Sequence, residues 1–267
     1  WYSGAGIFRN VYLVTGNYID VAIDSIHVTT PNLETELTKG YATTNVKMSI
    51  NNKNEESKNI NIKNEIYFNN ELVAYNNEVK QLSNGNNEYI CNILVPSPKL
   101  WHEYQGNLYT LKTIIQIDGA EVYINYTKYG YRYFKFDKDT GFWLNGINMK
   151  LRGVCLHHDL GCLGAEVNKS AIERQIRILK NMGCNAIRIT HNPASTEFLE
   201  VCAKEGMLLI EELFDCWTVA KKTNDFARFF NEYSERVIKF TVNRGKNNPA
   251  IIMYSIGNEI AKGSEET

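Results

Sequence analysis

The sequence predicts a multidomain chain: an immunoglobulin-like β-sandwich followed by the first half of a (β/α)8 TIM barrel. Three observations predict it. Short alternating runs separated by turn residues fill the chain to about residue 131, apolar runs interleave with amphipathic helical stretches from about residue 141, and that second part supplies only four such repeats. A complete barrel of this kind needs about 250 residues, roughly twice what is available there.

In the first part, Val46 to Ile50, Ile60 to Ile66 and Tyr109 to Ile115 alternate with a period near two, as half-buried strands do. The Asn-rich stretches 51–59, 69–70 and 83–87 suit turns and hairpin tips. Many short strands without helices imply a sandwich, although no Cys…Trp…Cys framework marks a true immunoglobulin domain. Trp1 to Val14 also reads as strand-like, the tail of something that began earlier; both ends of the chain read as cut.

The second part changes rhythm. Lys150 to Leu156 reads as a strand. Ser170 and Glu173 form a capping box for a helix whose apolar face is Ile172, Ile176, Leu179 and Met182, ended by Gly183. Cys184 to Thr190 is the next strand, Ser195 to Glu205 a helix stopped by Gly206, and Met207 to Glu211 a third strand. A long helix from about Asp225 to Arg244 precedes a fourth strand, Ala250 to Ile256. Strands alternating with helices imply a parallel sheet, with chemistry at the carboxyl ends of its strands.

Composition narrows the functional classes. A net charge of −1 provides no field to recruit nucleic acid or an anionic membrane, and no apolar run approaches a membrane span. The six cysteines show no CxxC pair and read as reduced, buried thiols rather than a disulfide framework. His157 and His158 have no third ligand at a familiar spacing, and neighbours on a strand point to opposite faces, so no metal site is assigned.

Polar residues gather past each barrel strand: His157, His158 and Asp159; then Arg188, His191 and Asn192; then Glu211, Glu212, Asp215 and Trp217; then Asn258 and Glu259. Carboxylates, imidazoles and an indole converging on one face describe a polar cleft with a stacking platform, which suits a sugar. Each has a plainer reading as well. Arg188 is nearly as well explained as the partner of a core carboxylate such as Glu212, and Trp217 as ordinary packing.

Taken in order, Trp1 to Leu13, Leu100-Trp101 with Leu108 to Leu111, Gly141 to Gly146, Leu151 to Val154, His157 to Asp159, Asn185 to Arg188, His191 to Pro193 and Ser255 to Glu259 resemble the family 2 glycoside hydrolases along nearly the whole chain. The resemblance implies residues 1–17 as the tail of a jelly-roll sugar-binding domain, 18–131 as the immunoglobulin-like sandwich and 132–267 as the N-terminal half of the TIM-barrel catalytic domain. It implies retaining hydrolysis of terminal β-linked glycosides, most similar to β-galactosidases, with β-glucuronidase as the alternative, β-mannosidase a weaker one, and a non-catalytic carbohydrate-binding module as the reading from another class. Glu259 matches the family's catalytic acid/base and Asn258 the residue that binds the sugar 2-hydroxyl. Asp159, His191, Arg188 and Trp217 match positions around the first sugar. The nucleophile Glu is expected beyond Thr267, so the chain by itself is expected to be inactive. Magnesium and homo-oligomerisation are expectations of the resemblance alone, and cellular location is not legible.

Overall fold

The structure, a computed structural model, describes residues 6–261. It divides into two compact units, one formed by Tyr12–His102 with Gly106–Met149, the other by Trp1–Val11, Glu103–Gln105 and Lys150–Thr267.

The first unit is the sandwich. Strands β1 (Ile19–Val21) and β2 (His27–Thr29) and the short helix α1 (Leu33–Leu37) precede β3 (Tyr41–Asn52), β4 (Lys58–Phe68), β5 (Glu71–Leu82), β6 (Gly85–Pro96), β7 (Tyr109–Ile117) and β8 (Ala120–Tyr129). One sheet centres on β3, which pairs with β6 along its whole length and with β1 and β2 on its other edge; the second runs β5-β4-β7-β8, all antiparallel. Alternation fills the core: Val46, Met48 and Ile50 of β3 join Ile60, Ile62 and Ile66 of β4 and Leu111 and Ile115 of β7, all essentially inaccessible. Two polar nodes are buried among them and satisfied. Thr113 donates to Asn64 (2.8 Å), and the hydroxyls of Tyr129 and Tyr131 meet at 2.9 Å.

The Asn-rich stretch 51–59 is shorter as a loop than its composition suggests, because β3 runs through Asn52 and β4 begins at Lys58. The Asn at the β4–β5 turn, Asn69 and Asn70, do adopt positive φ. The same unit ends with a three-stranded antiparallel sheet in the order β11-β10-β9: β9 (Phe134–Asp137), β10 (Gly141–Leu144) and β11 (Ile147–Met149).

The second unit is half of a barrel. Strands β12 (Gly153–Leu156), β13 (Ala186–Ile189), β14 (Leu208–Glu212) and β15 (Ile251–Ser255) are parallel and adjacent in chain order. Helices α2 (Lys169–Asn181), α3 (Thr196–Glu205) and α4 (Phe230–Gly245) connect them, α4 preceded by a 3-10 turn at Phe226–Phe229.

The helix ends explain themselves locally. Ser195 accepts from the Phe198 N–H at the start of α3, and Gly206 ends it at φ +68°, where only glycine is unstrained. For α2 the expected box at Ser170 is displaced: the cap is Asn168, which accepts from Ala171, so the helix starts earlier. Met182, expected on the apolar face, sits at the C-cap and is 70% exposed, while Ile172, Ile176 and Leu179 are buried. Ile7 to Val14 forms no strand, in contrast to the expectation. Among the described residues no strand pairs with this segment; the Arg9 guanidinium donates to the Pro193 carbonyl (3.0 Å), and residues 1–5 lie outside the described residues.

Candidate active site

The carboxyl ends of β12 to β15 open into a cleft of about 730 Å³, with His157, Arg188, His191, Asp215, Asn258 and Glu259 among its lining. Its position follows from the parallel sheet, because every strand delivers the residues just past its end to the same side.

Glu212, the last residue of β14, organises the floor. It is fully buried, and both oxygens are engaged. Arg188 on β13 donates through Nη2 (2.7 Å) and Nε (3.1 Å) to Oε2, which also accepts from Ser255 Oγ on β15 (2.7 Å), while Oε1 is hydrogen-bonded to His191 Nδ1. Burial alone would raise the Glu212 pKa; the hydrogen bonds from His191, Ser255 and Arg188 outweigh it and hold the carboxyl below its usual range. An ionised carboxylate can only accept, so His191 Nδ1 carries the proton. One carboxylate thus ties three strands together, and Arg188 has the structural partner its plainer reading named.

Arg188 also reaches Asn258. Its Nη2 donates to Asn258 Oδ1 (3.2 Å), whose Nδ2 donates to Asp215 Oδ1 (3.1 Å), and the Asn258 N–H donates to the Phe214 carbonyl (3.0 Å). The Asn258 amide is therefore fixed in orientation from both ends. Beside it Glu259 stands at the rim, its side chain 80% exposed and its backbone at φ +49°. The Lys221 ammonium lies 3.4 Å from Glu259 Oε2 and 3.0 Å from Asp215 Oδ1. For Asp215, burial works against the charge, but Lys221 and Asn258 overcome it and hold the carboxyl low. His157 is pushed down by burial and by the nearby His191 ring, 5.3 Å away, which favours the neutral imidazole.

Of the residues singled out in the sequence, Glu259, Asn258, His191 and Arg188 come together in this cleft. Trp217 lines a smaller neighbouring pocket with Glu259; its indole N–H donates to the Ile256 carbonyl (2.9 Å) and its ring stacks on Phe230. Asp159 follows β12, partly buried, and is not among the residues lining the cleft. Lys221 was missed by the sequence reading. It lies on a loop with no periodicity, and only the fold carries it back to Glu259. Among the described residues no group of three or more His, Cys, Asp or Glu side chains is disposed to hold a metal ion.

Comparison with known proteins agrees with this architecture. The family description "Glycosyl hydrolases family 2, TIM barrel domain" matches residues 137–266, and "Glycosyl hydrolases family 2" matches residues 22–132. The chain is 38% identical over 267 residues to the beta-galactosidase BoGH2A of Bacteroides ovatus, covering 97% of this chain and 30% of that protein. A glycosyl hydrolase family 2 member from Bacteroides cellulosilyticus superposes with a TM-score of 0.93 at 34% identity, covering 98% of this chain and 34% of that one. The beta-glucuronidase of Bacteroides uniformis superposes with a TM-score of 0.75 at 27% identity, covering 88% and 28%. The chain spans about a third of the length of these relatives.

Proposed function

The chain belongs to glycosyl hydrolase family 2, and from that premise we propose that it carries the acid/base half of a retaining β-glycosidase acting on terminal β-D-galactosides, with Glu259 as general acid/base. The observation that carries the reading is the pairing of an exposed carboxylate with a fixed amide at the mouth of the cleft: Glu259 is open to an incoming glycosidic oxygen, and Asn258 beside it is locked by Arg188 and Asp215.

Retaining hydrolysis uses two carboxyl groups about 5–5.5 Å apart, one protonating the leaving oxygen and one attacking the anomeric carbon. Glu259 gives its proton to the leaving oxygen in the first step and takes one from water in the second. Asn258 binds the hydroxyl beside the anomeric carbon, and His191 and Arg188 line the sugar pocket over the Glu212 floor. The exposure of Met253 on β15, with Phe240 on α4 and Ile256, supports further βα units packing there.

The galactoside preference is supported by the relation to the Bacteroides ovatus enzyme and the glucuronide alternative by the likeness to the Bacteroides uniformis enzyme. A panel of nitrophenyl β-glycosides with the full-length protein tests both. Faster turnover of the galactoside is expected. Faster turnover of the glucuronide would replace the substrate assignment, and turnover of no glycoside in the panel would remove the hydrolase reading.

A further inference from the structure

Lys221 makes three polar contacts that converge on the residues around Glu259. Its ammonium donates to the Asn258 carbonyl (2.9 Å) and to Asp215 Oδ1 (3.0 Å), and lies 3.4 Å from Glu259 Oε2. An ammonium has three N–H donors, and these three acceptors match them. The contacts bridge the segment after β14 to the segment after β15, and they grip the peptide directly before Glu259, which holds a left-handed backbone at φ +49°.

The lysine is itself held in place. Asp225 Oδ2 accepts from the backbone N–H of Lys221 (2.6 Å) and of Lys222 (2.9 Å), and its Oδ1 accepts from the Ala227 N–H at the start of the 3-10 turn (3.0 Å). One carboxylate thus closes the loop 221–225 into a ring and fixes the point from which the Lys221 side chain departs. Burial works against the Lys221 charge, yet Asp215 and Glu259 more than compensate, so the ammonium keeps its proton more firmly than an ordinary lysine. The charged groups around it are Asp215 and Glu259 on its side-chain end and Asp225 and Lys222 in its own loop.

We propose that Lys221 is a positioning residue for Glu259, acting chiefly in the step where Glu259 is ionised and serves as base. The inference rests on the assignment of Glu259 as acid/base and deepens it. An ammonium donates to an ionised carboxylate and orients it for receiving a proton, whereas it offers no acceptor to the O–H of the protonated acid. In that step water forms its bond to the anomeric carbon, gives a proton to Glu259, and the bond from that carbon to the enzyme's nucleophilic carboxylate breaks, releasing the free sugar. Lys221 touches neither sugar nor water; it works through Glu259.

The test compares Lys221→Met, Lys221→Arg and Asp225→Ala in the full-length protein on the dinitrophenyl β-glycoside of whichever sugar is turned over, with Glu259→Ala alongside. A dinitrophenolate leaves without acid help, so the second step limits turnover. In Lys221→Met, kcat is expected to fall about tenfold with KM falling in parallel, leaving kcat/KM within about threefold, the signature of an accumulating glycosyl-enzyme. Lys221→Arg is expected to recover most of the loss, and Asp225→Ala to reproduce it in part. Unchanged kcat in Lys221→Met, or kcat and kcat/KM falling together, overturns the proposal while a dead, azide-rescued Glu259→Ala leaves the acid/base assignment standing. Full turnover in Glu259→Ala overturns that assignment and this proposal with it.

Discussion

Glu211 and Glu212 are consecutive on β14 and both fully buried, yet they serve opposite faces of the parallel sheet. Glu212 faces the cleft, bound to Arg188, His191 and Ser255. Glu211 faces the helices, where Arg244 of α4 donates to its Oε1 at 2.5 Å and the Ala194 N–H donates to the same oxygen at 3.3 Å. Arg244 also donates to the Ala194 carbonyl at 2.8 Å. The segment from His191 to Ala194 is therefore clamped from both sides by neighbours on one strand.

On the helix side, burial pushes the Glu211 carboxyl up against the opposing pull of Arg244. Removing one partner from such a pair leaves an uncompensated buried charge. Arg244→Met is expected to cost about 3–5 kcal/mol, and Arg244→Met with Glu211→Leu to recover part of that. Urea denaturation of the single and double variants checks it; a double variant worse than the sum of the singles would contradict the clamp.

On the cleft side the sign of the pH dependence is fixed. The folded pKa of Glu212 lies below its unfolded value, so its contribution is fully present above the unfolded value of about 4.3 and is lost as pH falls through the folded one. Asp215 acts in the same direction. Glu212→Gln is expected to cost about 3 kcal/mol at neutral pH and to flatten the acid side of the stability profile. Thermal midpoints from neutral pH down into the acid range would show this, and parallel profiles for variant and parent would refute it.

The close approach of β12 to β13 depends on a missing side chain. A Cβ on Gly153 would stand 2.6 Å from the Ala186 carbonyl oxygen, a backbone atom that cannot swing away. Gly153→Ala is expected to lower stability by about 1–3 kcal/mol, read as a shift of the denaturation midpoint. An unshifted midpoint would mean the strands part more readily than their pairing implies.

Much of the architecture was legible in the sequence because period two and period 3.6 are local signals, and Ser195 with Gly206 bounded α3 from residue chemistry alone. The start of α2 was misplaced because Asn168 and Ser170 are both competent caps and only the folded backbone selects one. The cleft was legible as a set of residues past strand ends, but its wiring was not. Lys221 is 38 residues from Glu259, and Arg244 is 33 from Glu211, so no spacing rule joins them. Arg188 has the Glu212 partner that its plainer reading named, and the same guanidinium also meets Asn258.

Neither Glu212 nor Asp215 is expected to act as a nucleophile. Glu212 has both oxygens committed to hydrogen bonds, and Asp215 is tied to Lys221 and Asn258, so neither is disposed to attack a sugar. Turnover by the purified chain would make Asp215 the first residue to replace.

In the proposed function, Glu259 moves the proton at the glycosidic oxygen. The most direct test is the turnover of a nitrophenyl β-glycoside by full-length protein carrying Glu259→Ala, with and without azide. A loss of about 10²–10⁴-fold in kcat is expected, with azide restoring kcat by taking water's place on the glycosyl-enzyme and appearing in the product as the β-glycosyl azide. Turnover within a few-fold of the parent and indifferent to azide would contradict it.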